Sequence, residues 1–328
     1  MPGRPTNEPT NYFAQGVQSA KDTEATTFFF FKHLDGTGFD PDPDVQSERE
    51  GGDGQEVGLR YKSLIKADGQ VLSNSRVGVL GRITSWTLGQ DTVASQAIGQ
   101  KHTIVPVGSA PYITTDQRAA DELERTTNNV FTGFTLSGEA GRPWKISGQF
   151  VNGGSYYDRP LASALTPTRE TGPPFMMPGG TYTIDGVGTA KLTKFEIVVR
   201  RGVDDGIQTV ALNREDVIPL TFEADCNFTL KYEDRTLYAK IQYGGGSQVP
   251  LDLATGAFSA FTQQGSLTAK VTLPWIQYVG AKPNSLDPDG RTVYIDVAAM
   301  TVKPPIATSS VIVEINDVPN ATAAYTSP

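Results

Sequence analysis

The feature that most constrains the fold is a regular alternation of apolar and polar residues over residues 134–151. The apolar positions recur on both sides of a Gly-Arg-Pro turn, and they are Phe134, Leu136, Trp144, Ile146 and Phe150. The positions between them are charged, amide or hydroxyl residues: Thr135, Ser137, Glu139, Lys145, Ser147 and Gln149. A period of two is the side-chain period of a β-strand. The segment therefore predicts a β-hairpin with one face in the core and one face in water.

Strand patterns recur along the rest of the chain. Strands are predicted at residues 26–34, 55–63, 181–185, 191–200, 207–212, 217–232, 235–243, 266–279, 292–302 and 308–315. The first of them contains four consecutive phenylalanines, which need cover on both faces, and Trp275 is expected in the core. The second alternates, with Glu56, Arg60 and Lys62 on its polar face. With 34 glycines and 22 prolines to make turns, this succession predicts an all-β sandwich or barrel.

Helical signals are few. Three apolar residues have helical spacing: Val79, Ile83 and Trp86. Together with Ser75 at the N-cap position and Gly89 at the C-cap position, they predict one flanking α-helix at about residues 76–88. A capping-box spacing at the start of residues 116–125 predicts a second helix there.

A long polar connection divides the first part of the chain. Residues 35–54 contain Asp-Pro-Asp-Pro-Asp and Gly-Gly-Asp-Gly, and a connection of this length without secondary structure is uncommon and usually functional. The polar N-terminus is typical of an arm. We therefore expect an arm at 1–25, a β-sandwich domain at 26–303, and a C-terminal strand or arm at 304–328.

The charge balance argues against stable binding of nucleic acid. The chain has 28 basic and 36 acidic residues, a net charge of −8 and a pI near 4.9, whereas binding phosphates takes clustered Lys and Arg. The N-terminus lacks the pattern of a secretory signal, and no apolar run approaches the roughly 20 residues that a membrane span needs. We therefore expect a protein of the cytoplasm without membrane contact.

The sequence contains no recognisable catalytic, cofactor or metal motif. Cys226 lies among apolar residues and is expected to be a core thiol. His33 and His102 lack partners at metal-ligand spacing, and His102 is expected at the surface or an interface. A calcium loop starting at Asp40 would need Gly at its sixth position and Glu at its twelfth, where the chain has Val and Gly. We therefore expect neither an enzyme nor a bound cofactor.

The order of the elements is informative in itself. Its landmarks are a strand, long loop and strand at 26–63, Leu-Gly-Arg-Ile to Trp-Thr-Leu-Gly at 80–89, the histidine at 102, Pro-Tyr-Ile-Thr at 111–114, the hairpin at 134–151, and Phe-Thr-Leu-Lys-Tyr-Glu-Asp to Leu-Tyr at 228–238. This order, over roughly residues 26–315, resembles that of the tail tube (major tail) proteins of siphophages. One departure is that Arg76 and Val77 stand where a proline is expected before the helix.

The resemblance implies rings of six subunits that stack around a tape-measure protein into a tube. Hairpins at 26–63 and 134–151 would join edge to edge across subunits and abolish free sheet edges. The lumen would be lined by Glu56, Arg60, Lys62, Thr135, Ser137, Glu139, Lys145, Ser147 and Gln149. The long loop would contact a neighbouring ring through Phe39, Asp40, Asp42, Asp44, Glu48 and Arg49.

The same resemblance implies the partners and the location. Besides its own copies, the subunit would meet the tape-measure, tail terminator and distal tail proteins, and DNA only in transit. It would be assembled in the host bacterial cytoplasm and reside in the virion tail.

Three other interpretations stay open at this stage. The nearest is a related tail component, such as a distal tail protein or a type VI secretion tube subunit. A carbohydrate-binding or adhesive β-sandwich would need exposed aromatic platforms and usually secretion. An enzyme on a jelly-roll scaffold is the third, because a carboxylate pair can be far apart in sequence.

Overall fold

The computed structural model describes residues 11–40, 42–48, 59–96, 99–188, 192–204, 216–231, 255–283, 294–302, 309–317 and 323–328. The strands expected at 207–212 and 235–243 lie outside these residues. Strands dominate the described part of the chain, and one α-helix accompanies them. The prediction of an all-β protein with a single helix beside the sheet is therefore confirmed.

The strands follow one another closely along the chain. In order they are β1 Tyr12–Val17, β2 Phe29–Phe30, β3 Gly38–Phe39, β4 Asp42–Glu48, β5 Leu59–Lys66, β6 Gly69–Asn74, β7 Gly89–Ser95, β8 Gln100–Pro106, β9 Ile113–Ala119, β10 Glu122–Glu139, β11 Lys145–Asn152, β12 Tyr156–Asp158, β13 Thr181–Ile184, β14 Val187–Gly188, β15 Leu192–Asp204, β16 Ile218–Lys231, β17 Thr255–Gln264, β18 Leu267–Pro283, β19 Tyr294–Thr301 and β20 Ile312–Asp317. Helix α1, Val77–Leu88, lies between β6 and β7, and a 3-10 turn covers Leu161–Ser163.

Almost all strands belong to one large antiparallel sheet. One of its longest paths runs β7-β8-β20-β18-β19-β16-β15-β10-β11-β6-β3. Strands β9, β1, β2 and β12 branch from β10, and β17, β13 and β14 branch from β18. Among the described strands no series of pairings returns to its starting strand, so the sheet is open and not a closed barrel.

The helix lies inside the curve of this sheet. All its residues except Arg82 are buried, and it packs against β8 and β20 near one end of the path and against β10 towards the other. One hydrophobic core joins the helix to the inner side of the strands, with Trp86 between Phe31 and Phe131. The sheet therefore wraps the helix, which explains how so many strands can share one core.

The helix ends as predicted but begins one residue later than the cap residue suggested. Gly89 has φ 98° and closes the helix with a hydrogen bond to Ser85 O. Ser75 is not the cap, because its hydroxyl makes no hydrogen bond and its carbonyl accepts from Phe175 N, while Arg76 O accepts the first helical bond from Leu80 N. Arg76 occupies the cap position without a side-chain bond, and Glu170 accepts the N–H of Gly78 in the first turn instead.

Two other predictions from local sequence were wrong because both segments pair with distant strands. Residues 116–125 form parts of β9 and β10 and not a helix, because Asp116 pairs with Arg125 across the two strands. Residues 12–17, expected in an arm, form the buried strand β1 against β9. In both places long-range pairing outweighs the local signal.

A tyrosine near the end of the sequence seals the open side of the helix. Tyr325 stacks on His102, with ring centroids 4.2 Å apart, and its carbonyl accepts the Trp86 indole N–H at 2.9 Å. Its own N–H donates to Asp91 at 2.8 Å. Gly81 makes room for the ring, since a Cβ at that position would lie 2.1 Å from Tyr325 Cε2.

Replacing Gly81 with alanine should therefore destabilise the protein, although alanine is the better helix former by about 1 kcal/mol. The displaced tyrosine ring leads us to expect a net loss of about 1–3 kcal/mol in the free energy of unfolding, measured by chemical denaturation. Gly108→Ala is the matched control, because a Cβ there meets no atom within 4 Å. If Gly81→Ala unfolds like the wild type, the proposed seal is wrong.

A buried ionic cluster connects β1, β9, β10 and the loop that follows β12. Asp116 accepts the Tyr12 hydroxyl at 2.6 Å, Arg125 Nε at 2.8 Å and Arg159 at 2.6 Å. Arg125 also bonds Glu24, which in turn accepts the Tyr157 hydroxyl. The bond from Tyr157 lowers the pKa of Glu24 below 4.5, burial opposes this shift, and Arg125 reinforces it.

Stability should depend on the charge of Glu24. A carboxylate whose pKa is lowered by folding stabilises the protein above its unfolded pKa, and that contribution is lost as the pH falls through the folded value. We expect the unfolding free energy of the wild type to fall more steeply between about pH 5 and pH 3 than that of Glu24→Gln. Parallel pH profiles for the two proteins would contradict this role.

Candidate assembly surfaces

The hairpin predicted at 134–151 is present as β10 and β11. Its apolar side chains are buried, namely Phe134, Leu136, Trp144, Ile146 and Phe150. Trp144 packs edge-on against Phe195 with ring centroids 5.3 Å apart. The alternate side chains face outward and are half-buried or exposed: Thr135, Ser137, Glu139, Lys145, Ser147 and Gln149. The alternation in the sequence therefore separates a dry face from a wet face, as predicted.

The hairpin is not at an edge of the sheet. Residues 133–137 of β10 pair with β15 as well as with β11, and residues 145–150 of β11 pair with β6. Residues 26–63 do not form a single hairpin either, because β2 pairs with β1 and β3 pairs with β6. The expectation that these two hairpins meet edge to edge across subunits is therefore wrong for 134–151, whose hydrogen bonds are already used inside the chain.

The outward face of the hairpin continues across neighbouring strands. One cross-strand row runs from Lys145 and Ser137 through Glu196, Asn227 and Ala298, and the next from Ser147 and Thr135 through Val198, Asp225 and Met300. Charges of both signs occur on this surface, and Arg200 is paired with Asp225 across β15 and β16. The result is a broad surface of mixed charge, which we call the outer face.

Exposed apolar side chains lie along β16, β18 and β19. The exposed fractions there are 45% for Ile218, 53% for Leu220, 37% for Trp275, 54% for Val279 and 43% for Met300. Trp275 was expected in the core, but Ile276 and Tyr278 take the inward positions of β18 and leave it in water. Burial of these side chains against a second molecule would remove their apolar area from water.

The long connection at 35–54 is partly structured. Strands β4 and β5 form a separate two-stranded antiparallel sheet, which we call the ribbon, with Asp42 opposite Lys66 and Glu48 opposite Leu59. In the described chain the ribbon pairs with no other strand. An isolated two-stranded sheet is marginal in water, so the ribbon is expected to gain support from another surface.

The residues predicted for the inter-ring contact do not share one environment. Phe39 is buried, whereas Asp40 is exposed. Three of them lie on β4, namely Asp42, Asp44 and Glu48. Of the expected lumen residues, Arg60 and Lys62 lie on β5, and Glu56, like Arg49, lies outside the described residues.

The described residues contain no group of three His, Cys, Asp or Glu side chains that could hold a metal ion. His102 is fully buried inside the chain and bonds Asp91 at 2.8 Å, so the expectation of a histidine at the surface or an interface was wrong. Cys226 is buried, as predicted, and burial raises the pKa of its thiol above the usual value, which keeps it protonated. None of the helices described is long and apolar enough to cross a membrane.

Comparison with protein families identifies a match. A family model described as phage tail tube protein matches residues 13–302 of the chain. No curated protein matches the sequence. The matched range begins within β1 and ends after β19, so it includes the outer face, the ribbon and the helix.

Proposed function

The chain belongs to the phage tail tube protein family, and on that premise we propose that it is the structural subunit of a long non-contractile tail. Rings of six subunits stack around a tape-measure protein and leave a channel for genome ejection into the host. The observation that carries this proposal is the outer face, a wide sheet surface of mixed charge on a protein with a net charge of −8. Phosphates can pass such a surface without being held.

The polar side chains of β10 and β11 are the proposed lining of the channel. They present hydroxyl, amide and charged groups in alternation, and Glu139 pairs with Arg142 at 3.0 Å. Hydroxyl and amide groups hold water, while paired charges cancel locally, so DNA meets a hydrated surface. This arrangement favours passage over binding.

Two further surfaces supply the contacts between copies. The ribbon supports itself against a neighbouring ring, which accounts for a two-stranded sheet that pairs with nothing else in the described chain. The exposed apolar side chains of β16, β18 and β19 lie against an adjacent subunit, because burial of Leu220, Trp275 and Met300 stabilises a contact in proportion to the apolar area removed from water.

The remaining partners follow from the same role. Tail terminator and distal tail proteins would close the two ends of the tube, and the subunit would be made and assembled in the host bacterial cytoplasm before it becomes part of the virion tail. The role is structural and involves no catalysis.

Adding positive charge to the proposed lining should slow DNA transit. In Glu139→Lys/Ser147→Lys both side chains lie on the outer face, so we expect folded subunits and normal tubes in negative-stain electron microscopy. DNA release triggered in vitro should be slower, and the delay should shrink with added salt because counterions compete for the phosphates. Glu139→Gln/Ser147→Thr is the matched control. Release at the wild-type rate from the lysine variant would show that these residues do not line the channel.

Removing the ribbon should abolish stacking while leaving the subunit folded. Residues 42–65 can be replaced by a short Gly-Ser linker, which keeps the buried Phe39 and Ala67 on either side. We expect circular dichroism and thermal unfolding close to those of the wild type, and no tubes by electron microscopy. Tubes of ordinary length from this variant would refute the stacking role.

A further inference from the structure

The chain fixes the point at which the ribbon leaves the main sheet. Phe39, three residues before β4, is buried and lies opposite Gly69 on β6. Its ring meets Tyr156 edge-on, with centroids 6.4 Å apart. The next residue, Asp40, is exposed. Among the described residues, Phe39 is therefore the last buried one before the ribbon begins.

On the side away from β6, a single buried side chain binds the backbone of Phe39. Gln117, on β9, accepts the N–H of Phe39 at its Oε1 at 3.1 Å and donates from its Nε2 to the carbonyl of Phe39 at 3.3 Å. The amide thus pairs with the peptide group of Phe39 as a neighbouring strand would. Its own exposed fraction is 6%. Phe39 is consequently held between β6 and one glutamine.

The orientation of this amide is fixed by a carboxylate. Nε2 of Gln117 also donates to Glu124 Oε2 at 3.1 Å, and Glu124 Oε1 accepts the Tyr156 hydroxyl at 2.9 Å. A carboxylate can only accept, so it selects the amide orientation in which nitrogen points to it and oxygen to the Phe39 N–H. Burial raises the pKa of Tyr156, and its bond to Glu124 raises it further, so its hydroxyl remains a donor.

The backbone beside the amide is adapted to it. Gly38 has φ 146°, a conformation that side-chain-bearing residues rarely adopt, and a Cβ there would lie 2.7 Å from Gln117 Oε1. Glycine at this position allows the close approach of the amide. The glycine at position 38, just before the ribbon, therefore leaves room for the side chain of Gln117.

From this geometry we propose that Gln117 is the positioning residue of the ribbon: it fixes the direction in which the ribbon projects before any second copy is present. The inference rests on the proposed function in that the ribbon is taken as the contact between rings. A ribbon held in one direction loses less conformational freedom when it meets its neighbour, so assembly is favoured without a new contact. Glu124 acts through Gln117 by holding its amide in the useful orientation.

The first test removes the hydrogen bonds and keeps the shape. In Gln117→Met the hydrogen exchange of the Phe39 amide should accelerate about tenfold, the factor that corresponds to the loss of one hydrogen bond. Tube formation, followed by light scattering and electron microscopy, should slow markedly. Gln18→Met is the matched control, since Gln18 is also 6% exposed and donates to Thr114 at 3.1 Å. The control should keep wild-type exchange at Phe39 and wild-type assembly.

The second test reverses the polarity of the pair, and it separates positioning from a general loss of stability. Gln117→Glu places two carboxylates together and should lose Phe39 protection. Gln117→Glu/Glu124→Gln restores a donor facing an acceptor, so protection of the Phe39 N–H and part of the assembly rate should return. Failure of the double variant to recover either property would overturn the proposal, as would unchanged Phe39 exchange in Gln117→Met.

The two proposals fail in distinguishable ways. Exchange at Phe39 is measured on the free subunit and does not depend on what the ribbon contacts. Suppose that Gln117→Met loses protection of the Phe39 amide but that tubes form without the ribbon. The stacking role of the ribbon is then wrong, and the role of Gln117 in holding the backbone of Phe39 is retained. If protection is lost and assembly through the ribbon is unaffected, the positioning role is wrong.

Discussion

The structure depends on one long strand that is paired along both of its sides. Strand β10 runs from Glu122 to Glu139, with β9 and β12 against its first half and β11 and β15 against its second. Its backbone hydrogen bonds join the N-terminal strands to the large sheet that carries the outer face. Because both halves belong to a single strand, the ionic cluster around Asp116 and the polar surface around Ser137 keep a fixed position relative to each other.

The sequence predicted what depends on local periodicity. The alternation over 134–151, the helix that ends at Gly89 and the burial of Cys226 all follow from the side chains of neighbouring residues. Prediction from the sequence was wrong where distant residues determine the structure. Strand β1 and most of β9 were not predicted because they form by pairing with each other. Strand β17 was not predicted because residues 255–264 show little alternation of apolar and polar residues. The predicted cap at Ser75 was wrong because the carbonyl of Ser75 bonds Phe175 instead of the first turn of the helix.

The same division applies to the candidate assembly surfaces. The polar side of β10 and β11 could be predicted from the sequence, since every second residue is hydrophilic. Its continuation over β15, β16 and β19 could not, because it requires the order of strands in the sheet. Gln117 gave no signal beyond a false capping box, and only the folded chain brings it to Phe39, which is 78 residues away in the sequence.

The seal over the helix has a consequence for the timing of biosynthesis. Trp86 and Tyr325 are separated by 239 residues, so the indole N–H has no native acceptor until the last part of this sequence has been translated. At bacterial elongation speeds of about 5–20 residues per second, that interval lasts roughly 12–50 seconds. During it, the nascent chain exposes one side of α1 and cannot complete its core. The core around α1 is thus completed only after the strands between Trp86 and Tyr325 have been translated.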